Sequence, residues 1–335
     1  MSQTDLLTVS GLYKAFPVKK DTIWGKSLTL KAVNDIHLTI KAGETLGIVG
    51  ESGCGKSTLA KTIARLYEPT DGSIEFKGHE LTQLSQKELR PIRPKIQYVF
   101  QDPYESLNPR HTIGSILEEP FVIHTQLDSE QRQAKVRALL EKVGLPDSAI
   151  NKYPHEFSGG QRQRIGIARA IALEPELLIC DEPVSALDVS VQSQIINLLI
   201  KLQQEMNLAI LFIAHDLAVV KHISDRISVM YLGSIVESAT SDELFKQPMH
   251  PYTHFLLDAI PSIRPNHKRD KLRIQGELPS PISPPTGCLF NTRCPLANEQ
   301  CLEERPKLIA SDKDDHLVAC HHRVRATQNW QSPWG

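Results

Sequence analysis

The sequence predicts an α/β fold in which a parallel sheet carries helices on both faces. One observation is a strand-like run at 45–49 that leads through a glycine-rich loop into a helix-like run at 58–66. A second is the order strand, helix, strand over 177–180, 191–206 and 209–213, whose middle run has the ~3.6-residue apolar period of a helix. Because alternating strands and helices form parallel sheets through crossover connections, this order predicts that class of fold.

The glycine-rich loop at 50–57 is the most informative segment of the chain. It fits the phosphate-binding pattern G-x-x-x-x-G-K-[ST], and its flanks supply the strand and helix that the pattern requires. Backbone N–H groups of the loop surround phosphates, Lys56 reaches the terminal phosphates and Ser57 offers its hydroxyl to Mg²⁺. The loop predicts a nucleoside triphosphate site with these candidate residues: Gly50, Ser52, Gly53, Cys54, Gly55, Lys56, Ser57 and Thr58.

Composition limits the other classes of function. The 335 residues suffice for one large domain with an appendage or for two domains. The net charge is −1, from 38 basic and 39 acidic residues, so charge gives no argument for nucleic acid or an anionic membrane surface as the main partner. Apolar runs such as 208–214 are much shorter than the ~18 residues of a membrane span. We expect a soluble, cytosolic chain.

Other segments predict individual elements. The helix after the loop is expected to bury Leu59, Ile63 and Leu66 on one face. Residues 113–172 are mainly helical and polar in pattern, which indicates a helical insertion. The run at 230–236 predicts a late hairpin around its glycine.

Two adjacent carboxylates, Asp181 and Glu182, follow the apolar run at 177–180. A carboxylate pair at the end of a buried strand is costly unless a cation meets it. In a nucleoside triphosphatase, Asp181 supports Mg²⁺ and Glu182 faces the attacking water. A solvated acidic turn is the simpler interpretation of the pair in isolation, and the upstream Lys56 and Ser57 favour the catalytic one.

The run Phe157-Ser158-Gly159-Gly160-Gln161 separates kinds of nucleoside triphosphatase. Ser158 is a good N-cap for the helix-like run that begins at Gln161, and the two glycines leave the first turn open to close backbone approach. Together with the phosphate loop, this run resembles the signature of the ATP-binding-cassette (ABC) family. Phe157 stands where that signature usually has leucine, an exchange of one apolar side chain for another.

The remaining cassette motifs follow in the family's order. Gln101 matches the glutamine loop, Asp188 ends the Ser-Ala-Leu-Asp loop of the dimer interface, and His215 matches the switch histidine. The resemblance implies that Gln101 contributes to catalysis and to the Mg²⁺ site, that Asp188 contributes to ATP binding, and that His215 senses the γ-phosphate. Phe16 matches the aromatic residue that stacks on adenine, with Tyr13 as the alternative.

A closer resemblance covers nearly the whole chain. The segments that carry it are 106–110, 183–190, 250–253 and 276–281, followed by a cluster of cysteines. They are similar to the dipeptide/oligopeptide permease ATPases, in particular the F-type subunit of the importer. The resemblance implies a P-loop NTPase (RecA-like) core over 1–262 with a helical ABC insertion at about 102–172. A linker and small Cys-rich C-terminal extension would occupy 263–335.

The resemblance also implies an assembly. Two cassettes would pair head to tail as a heterodimer, with the second ATPase subunit from a different gene. Two membrane permease subunits and an extracytoplasmic peptide-binding protein would complete the importer, and residues 101–110 would line the groove for a helix of the membrane subunit. The chain would lie peripherally on the cytoplasmic face of the inner membrane, without a nucleic acid partner.

Alternatives remain open at this stage. The cassette could energise a nickel or other small-solute importer of the same family, because the cargo never contacts this subunit. A non-transport cassette ATPase acting on nucleic acid or ribosomes is a second alternative, although such proteins usually have two cassettes or large insertions. A regulatory ATPase is a third.

The six cysteines form two groups. Cys54 and Cys180 are most simply small, space-filling side chains. The others are spaced C-x₅-C-x₆-C-x₁₈-C behind a proline-rich linker at 277–285, in a segment with little apolar content: Cys288, Cys294, Cys301 and Cys320. Such a segment is expected to lack an adequate core of its own, so a bound metal is a natural staple for it.

Four thiolates suit either tetrahedral zinc or an iron–sulfur cluster, and the spacing lacks the C-x₂-C pairs of structural zinc knuckles. The resemblance implies that these cysteines are [4Fe–4S] ligands, with zinc as the alternative. His321 and His322 could replace a cysteine in the ligand set.

Overall fold

The computed structural model describes residues 5–18, 28–102, 106–260, 276–311 and 315–323. The chain divides into two compact units, the first formed by 1–6, 40–44 and 83–214 and the second by 7–39, 45–82 and 215–335. The predicted boundary near residue 262 adjoins a stretch, 261–275, that lies outside the described residues. That boundary stays a prediction.

The described strands and helices are numbered in chain order. The strands are β1 (Asp5–Val18), β2 (Leu28–Lys41), β3 (Thr45–Val49), β4 (Asp71–Phe76), β5 (His79–Glu80), β6 (Ile96–Val99), β7 (Leu177–Asp181), β8 (Ala209–Ile213), β9 (Arg226–Tyr231), β10 (Ser234–Thr240), β11 (Ile309–Ala310) and β12 (Leu317–Val318). The helices are α1 (Lys56–Ile63), α2 (Gln86–Leu89), α3 (Ile113–His124), α4 (Ser129–Lys142), α5 (Gly159–Ile171), α6 (Val189–Met206), α7 (Leu217–Ile223), α8 (Ser241–Lys246), α9 (Pro251–Asp258) and α10 (Glu299–Glu303).

The first unit contains the predicted parallel strands and the helical insertion. β6 pairs in parallel with β7, and β7 with β8, so that Ile96 lies opposite Leu177 and Leu177 opposite Ala209. The connection between β7 and β8 is α6, as the alternation of patterns predicts. Helices α3, α4 and α5 precede β7, and no strand occurs among the described residues from 106 to 176. The α/β fold and the insertion are therefore confirmed.

Helix α6 departs in detail from its predicted face. Ile195, Leu198, Leu199 and Leu202 are buried as expected, and Ile196 is buried as well. Predicted members Val191 and Met206 are only half-buried, because they lie near the two ends of the helix. Even this helix, with 18 residues, does not have the apolar run that a bilayer requires, and neither does any other helix in the described ranges.

The second unit contains two groups of strands. One sheet has the order β2-β1-β4-β5, in which β4 runs antiparallel to β1 and β5. In the other group, β3 is parallel to β9, and β9 and β10 form the predicted hairpin, with Tyr231 opposite Ser234. Gly233 closes this turn with a φ of 82°, a left-handed conformation that favours glycine.

Helix α1 is shorter than its sequence pattern. Leu59 and Ile63 are buried, but the helix ends at Ile63 and Arg65 has a φ of 53°. Leu66 lies beyond this end with 44% of its surface exposed, so its predicted place on the buried face is wrong. The reversal at Arg65 turns the chain away before the helical period reaches Leu66.

We call the described residues 276–311 and 315–323 the C-terminal segment. It takes its core from the rest of the second unit. Phe290 is 1% exposed and packs against Tyr231, Tyr252 and His250, with ring centroids 5.3, 5.5 and 5.6 Å away. Apolar burial at Phe290 supplies what this segment lacks in apolar residues of its own. The segment therefore shares the core of the second unit, and the role of a metal as a further staple stays a prediction.

A sheet pairing and a buried hydrogen bond also join this segment to β10. β12 runs antiparallel to β10, with Val318 opposite Glu237. Glu237 is fully buried, and its carboxylate contacts His316 Nε2 at 2.7 Å. It also accepts hydrogen bonds from the N–H groups of Met249 and His250 at 2.6 and 3.0 Å. The carboxylate thus has three partners in the interior, as a buried charge requires.

Candidate nucleotide site

The phosphate loop lies in the second unit, between β3 and α1. The Lys56 ammonium is 4% exposed and donates to the carbonyl oxygens of Gly50 and Glu51 at 2.8 and 3.1 Å. Gly55 has a φ of 108°, and a Cβ atom there would collide with the carbonyl oxygen of Ala32. The loop therefore needs glycine at this position for both its conformation and its fit.

The remaining loop residues differ in exposure. Ser52 and Gly53 are exposed, whereas Ser57 and Thr58 are half-buried in the first turn of α1. Cys54 is 2% exposed, and burial raises the pKa of its thiol to about 11. A buried, protonated thiol fits the predicted space-filling role of Cys54.

The carboxylates at the end of β7 have defined partners in the first unit. Asp181 is only 2% exposed, and the Tyr98 hydroxyl donates to its Oδ2 at 2.7 Å. Glu182 is half-buried with a φ of 46°, and Gln101 Nε2 donates to its Oε2 at 3.2 Å. The structure thus brings Gln101 and Glu182 together, as expected if both act at one reacting centre.

The start of α5 has the geometry of a capping box. The Ser158 hydroxyl accepts from the Gln161 N–H at 3.4 Å, and the Gln161 side chain accepts from the Ser158 N–H at 3.0 Å. The N-cap prediction for Ser158 is confirmed, although the helix begins at Gly159 rather than at Gln161. Gly160 is buried, and a Cβ there would collide with Val191. Exposed Ser158, unlike Gly160, can contact a ligand without disturbing its own unit.

Asp188 caps the next helix, α6. Its carboxylate accepts from the Ser190 hydroxyl at 2.6 Å and from the Val191 N–H at 3.0 Å. These hydrogen bonds, that of Ser190 first, lower the pKa of the Asp188 carboxyl. Asp188 is exposed and negatively charged at the helix N-terminus.

His215 and the two aromatic candidates lie in the second unit. His215 is exposed just before α7. Phe16 is half-buried and meets Tyr67 edge to face at 5.7 Å, with the Lys14 ammonium 4.8 Å from its ring centre. Tyr13 is also half-buried, and burial together with the charge of Asp35 raises the pKa of its hydroxyl.

The four C-terminal cysteines are near enough for their charges to interact. Burial, with smaller contributions from the charges of Cys320 and Cys301, raises the pKa of Cys288 and of Cys294 to about 11. Cys301 Sγ lies 3.5 Å from Nε2 of His322. Yet in the ranges that the structure describes, no three or more His, Cys, Asp or Glu side chains form a group that could hold a metal ion. The predicted metal centre has no support from this arrangement.

Several contacts at the site were not predicted. Tyr98 lies opposite Ile179, two residues before Asp181, so the parallel register of β6 and β7 places it on the Asp181 face. The contact of Tyr98 with Asp181 could be predicted only from the strand pairing, which cannot be read from the sequence. Arg293 and Tyr252, which contact Glu51 of the phosphate loop, carried no local signal because both are far from it in sequence.

Comparison with known proteins gives the family. Residues 33–185 match the family model described as ABC transporter, and residues 236–301 match that of the oligopeptide/dipeptide transporter C-terminal region. The oligopeptide transport ATP-binding protein AppF of Bacillus subtilis is 52% identical, covering 96% of this chain and 98% of AppF. OppF of Salmonella typhimurium, of the same description, is 53% identical, covering 94% of this chain and 95% of OppF.

Solved cassettes agree with this assignment. The ATP-binding cassette MJ0796, in a dimeric post-hydrolysis state bound to ADP and Pi, superimposes with a TM-score of 0.63 and 29% identity, covering 70% of this chain and 98% of that one. The phosphate loop, the capped signature helix and the full-length relatives lead to one conclusion. The chain belongs to the ATP-binding proteins of the oligopeptide/dipeptide ABC transporter family.

Proposed function

We propose that this chain hydrolyses ATP to drive uptake of dipeptides or oligopeptides across the cytoplasmic membrane. One observation carries the cargo class: residues 236–301 match the C-terminal region of oligopeptide/dipeptide transporters, outside the part matched by the ABC transporter model. The names of relatives that are about half identical over nearly the whole chain support it. A cassette motif alone would leave the nickel or other small-solute alternative equally good.

The phosphate loop is assigned the triphosphate. Lys56 binds the terminal phosphates, exchanging its present carbonyl partners for phosphate oxygens, and the loop's N–H groups and the start of α1 supply further donors. Phe16 stacks on the adenine ring. The half-buried ring of Phe16 leaves part of its surface open for this contact.

The metal and the attacking water are assigned to other side chains. Ser57, Gln101 and Asp181 would hold Mg²⁺, and all three offer the oxygen donors that this ion prefers. Bound Mg²⁺ supplies charge stabilisation for the phosphates. Glu182 takes the proton of the attacking water, whose oxygen bonds to the γ-phosphorus while the bond to the bridging oxygen of ADP breaks. His215 contacts the γ-phosphate, and Gln101 positions Glu182 through their 3.2 Å hydrogen bond.

Two cassettes are assigned to each ATP. ATP bound to Lys56 and Ser57 of one cassette would be covered by Ser158 to Gln161, with Asp188, of a second ATPase subunit. The exposure of Ser158 and Asp188 supports this role. Because ATP would bind the closed pair more tightly than the open pair, binding can drive closure and hydrolysis can reverse it.

The transporter would contain several partners of this chain. A different gene supplies the second ATPase, which makes the pair a heterodimer. Two permease subunits receive the pair on the cytoplasmic face of the membrane. An extracytoplasmic binding protein delivers the peptide. Residues 1–262 form the cassette and 263–335 the linker and extension.

A [4Fe–4S] cluster at Cys288, Cys294, Cys301 and Cys320 is kept as a proposal, with zinc as the alternative. The proposal rests on the resemblance of these cysteines to those of the peptide-permease subunits, and the described side chains do not form a ligand set. Anaerobically purified protein should then absorb broadly near ~400 nm, and Cys294→Ser should remove the band. A colourless protein with one equivalent of zinc would overturn the cluster and leave the site.

The transport proposal is tested with the assembled complex. The tagged chain is coexpressed with candidate permease and ATPase subunits, purified and placed in lipid vesicles with the binding protein. ATP hydrolysis should rise when the binding protein carries peptide and should not rise with nickel. A complex containing Glu182→Gln is the matched control for contaminating ATPases. Failure to copurify with any permease subunit, or stimulation by nickel alone, would overturn the proposal.

A further inference from the structure

Glu51, the second residue of the phosphate loop, is held through three of its groups. Its carboxylate accepts two hydrogen bonds from the Arg293 guanidinium, at 2.8 Å from Nη1 and 3.0 Å from Nη2. Its N–H donates to the Tyr252 hydroxyl at 2.8 Å, and its carbonyl accepts from Lys56 at 3.1 Å. These hydrogen bonds hold both the backbone and the side chain of Glu51.

The Arg293 contact is a buried, two-pronged ion pair. The Arg293 side chain is 7% exposed and that of Glu51 is 24% exposed. The planar guanidinium matches both carboxylate oxygens at once, which fixes direction as well as distance. Hydrogen bonds to Glu51 are the main cause that raises the pKa of Arg293. Removal of Glu51 would leave the largely buried Arg293 charge with only the Tyr231 hydroxyl, 3.5 Å away, a larger cost than loss of an exposed pair.

The groups that hold Glu51 come from one aromatic support. Tyr252 and Tyr231 lie edge to face at 4.8 Å, and Phe290 of the C-terminal segment packs on both. The Arg293 guanidinium lies 5.9 Å from the Tyr231 ring centre. Arg293 follows Phe290 by three residues, so the same short segment supplies both the packing and the ion pair. We name Tyr231, Tyr252, Phe290 and Arg293 the loop support.

Charge gives the ion pair a role beyond packing. A carboxylate in the second position of a loop that receives a triphosphate repels its ligand unless a cation neutralises it. Arg293 neutralises Glu51 and turns its carboxylate toward the loop support. The peptide groups of Gly50 and Glu51 are then fixed in advance, so less conformational entropy is lost when a ligand orders the loop.

We propose that Arg293, with Tyr252, is a positioning residue for nucleotide binding, and that it acts through Glu51. The C-terminal segment thereby sets the affinity of a loop more than 200 residues away. The inference rests on the assignment of residues 50–57 to the triphosphate under Proposed function. It concerns affinity in the ground state, so it predicts a change in the KM for ATP with little change in kcat.

The test is a double-mutant cycle in the full-length chain, with MgATP affinity measured by calorimetry. Arg293→Met should weaken binding about tenfold, as expected for loss of one charge-assisted contact. Glu51→Gln should change it about threefold or less, and the double variant should match Glu51→Gln, because the two-pronged, charge-assisted pair is already lost in Glu51→Gln. Arg293→Lys keeps the positive charge but loses the two-pronged geometry of the guanidinium. Its MgATP affinity should lie between those of Arg293→Met and the native chain.

Two controls separate positioning from loss of stability. Arg132→Met removes another partly buried ion pair, with Glu118 at 2.6 Å in the first unit, and should lower the melting temperature without changing the affinity. Lys56→Ala should abolish binding. Normal binding by Lys56→Ala would overturn the assigned nucleotide site and this inference with it.

If Lys56→Ala fails to bind while Arg293→Met binds normally, the positioning role alone is overturned. An equal loss from Arg293→Met in the native and Glu51→Gln chains would also overturn it, since Arg293 would not then act through Glu51. Should Arg293→Met not fold, the cycle is measured with Arg293→Lys, and its affinity decides between the same outcomes.

Discussion

The phosphate loop and the start of α5 are both predicted to contact ATP, but different kinds of contact hold them. At α5, Ser158 and Gln161 bind each other across three residues of sequence. At the loop, Glu51 depends on Arg293 and Tyr252, which are 242 and 201 residues away. The start of α5 is therefore specified locally, whereas the loop depends on correct packing of the whole second unit.

This difference predicts where remote substitutions act. A change in the C-terminal segment should alter the nucleotide affinity of the loop, but the capped start of α5 should keep its geometry when distant residues change. Mutations at α5 should instead act only where its exposed side chains meet a ligand or partner.

The largest effect is expected at Glu182. Its partner Gln101 is 81 residues away, a separation between that of the local pair at α5 and those of the distant contacts at the loop. Glu182→Gln keeps the shape but removes the charge that accepts a proton from water. We expect ATP turnover by the assembled transporter to fall about 10²–10⁴-fold while MgATP binding persists. Steady-state hydrolysis and nucleotide binding measure the two parts. Near-normal turnover would exclude Glu182 as the base.

Ser158→Arg tests whether the locally specified region acts outside its own unit. Binding of ATP by the isolated chain should remain within about twofold, and turnover of the assembled transporter should fall at least ~100-fold through steric and charge misfit in the second site. Ser158→Asn preserves the N-cap and is the matched control for helix stability. Loss of ATP binding by isolated Ser158→Arg would break the contrast.

Low pH should affect the second unit through His250, beside the loop support. Burial, offset in part by Glu237 and reinforced by His254, lowers the pKa of His250 from 6.5 to about 4. The native state then binds fewer protons than the unfolded state between these values, so stability is lost as pH falls from 6.5 to 4. The loss amounts to about 3 kcal/mol.

Urea unfolding at pH 7.5 and pH 4.5 measures this loss. His250→Asn keeps an oxygen acceptor for the Tyr252 N–H at the start of α9 and removes the titration. The native chain should therefore lose about 3 kcal/mol more than the variant on acidification. Parallel losses would show that His250 does not contribute.

The smallest effect is expected at Tyr98. Tyr98→Phe removes the hydroxyl that donates to buried Asp181, at a cost of about 1 kcal/mol for the lost hydrogen bond. Because the hydroxyl also orients the Asp181 carboxylate, its loss should raise about tenfold the Mg²⁺ concentration needed for half-maximal hydrolysis. Leu107→Met, at a buried site of the insertion, controls for general destabilisation. An unchanged Mg²⁺ dependence would separate Tyr98 from the metal site.

The same difference between local and distant contacts determines which features could be predicted from the sequence. The β3 strand, the loop glycines, the N-cap at Ser158 and the β9–β10 hairpin depend on residues close in sequence, and the structure has each of them. The predicted burial of Leu66 was wrong because the helix ends before it, at the left-handed conformation of Arg65. The spacing of apolar residues does not reveal such an end. Tyr98 and Arg293 required strand register and tertiary packing, and no local pattern carries that information.

The buried pair of Glu237 and His316 bears on how such chains can diverge or be recombined. If Glu237 changed alone, the buried His316 Nε2 would lose its partner, whereas a change at His316 would leave Glu237 with the two N–H donors of Met249 and His250. An unpaired buried polar group costs about 1–3 kcal/mol. The positions are 79 residues apart, so a neutral path must replace both together. Grafting this C-terminal segment onto another cassette should therefore succeed only when the recipient already carries a carboxylate at the site of Glu237, and the two positions should covary among relatives.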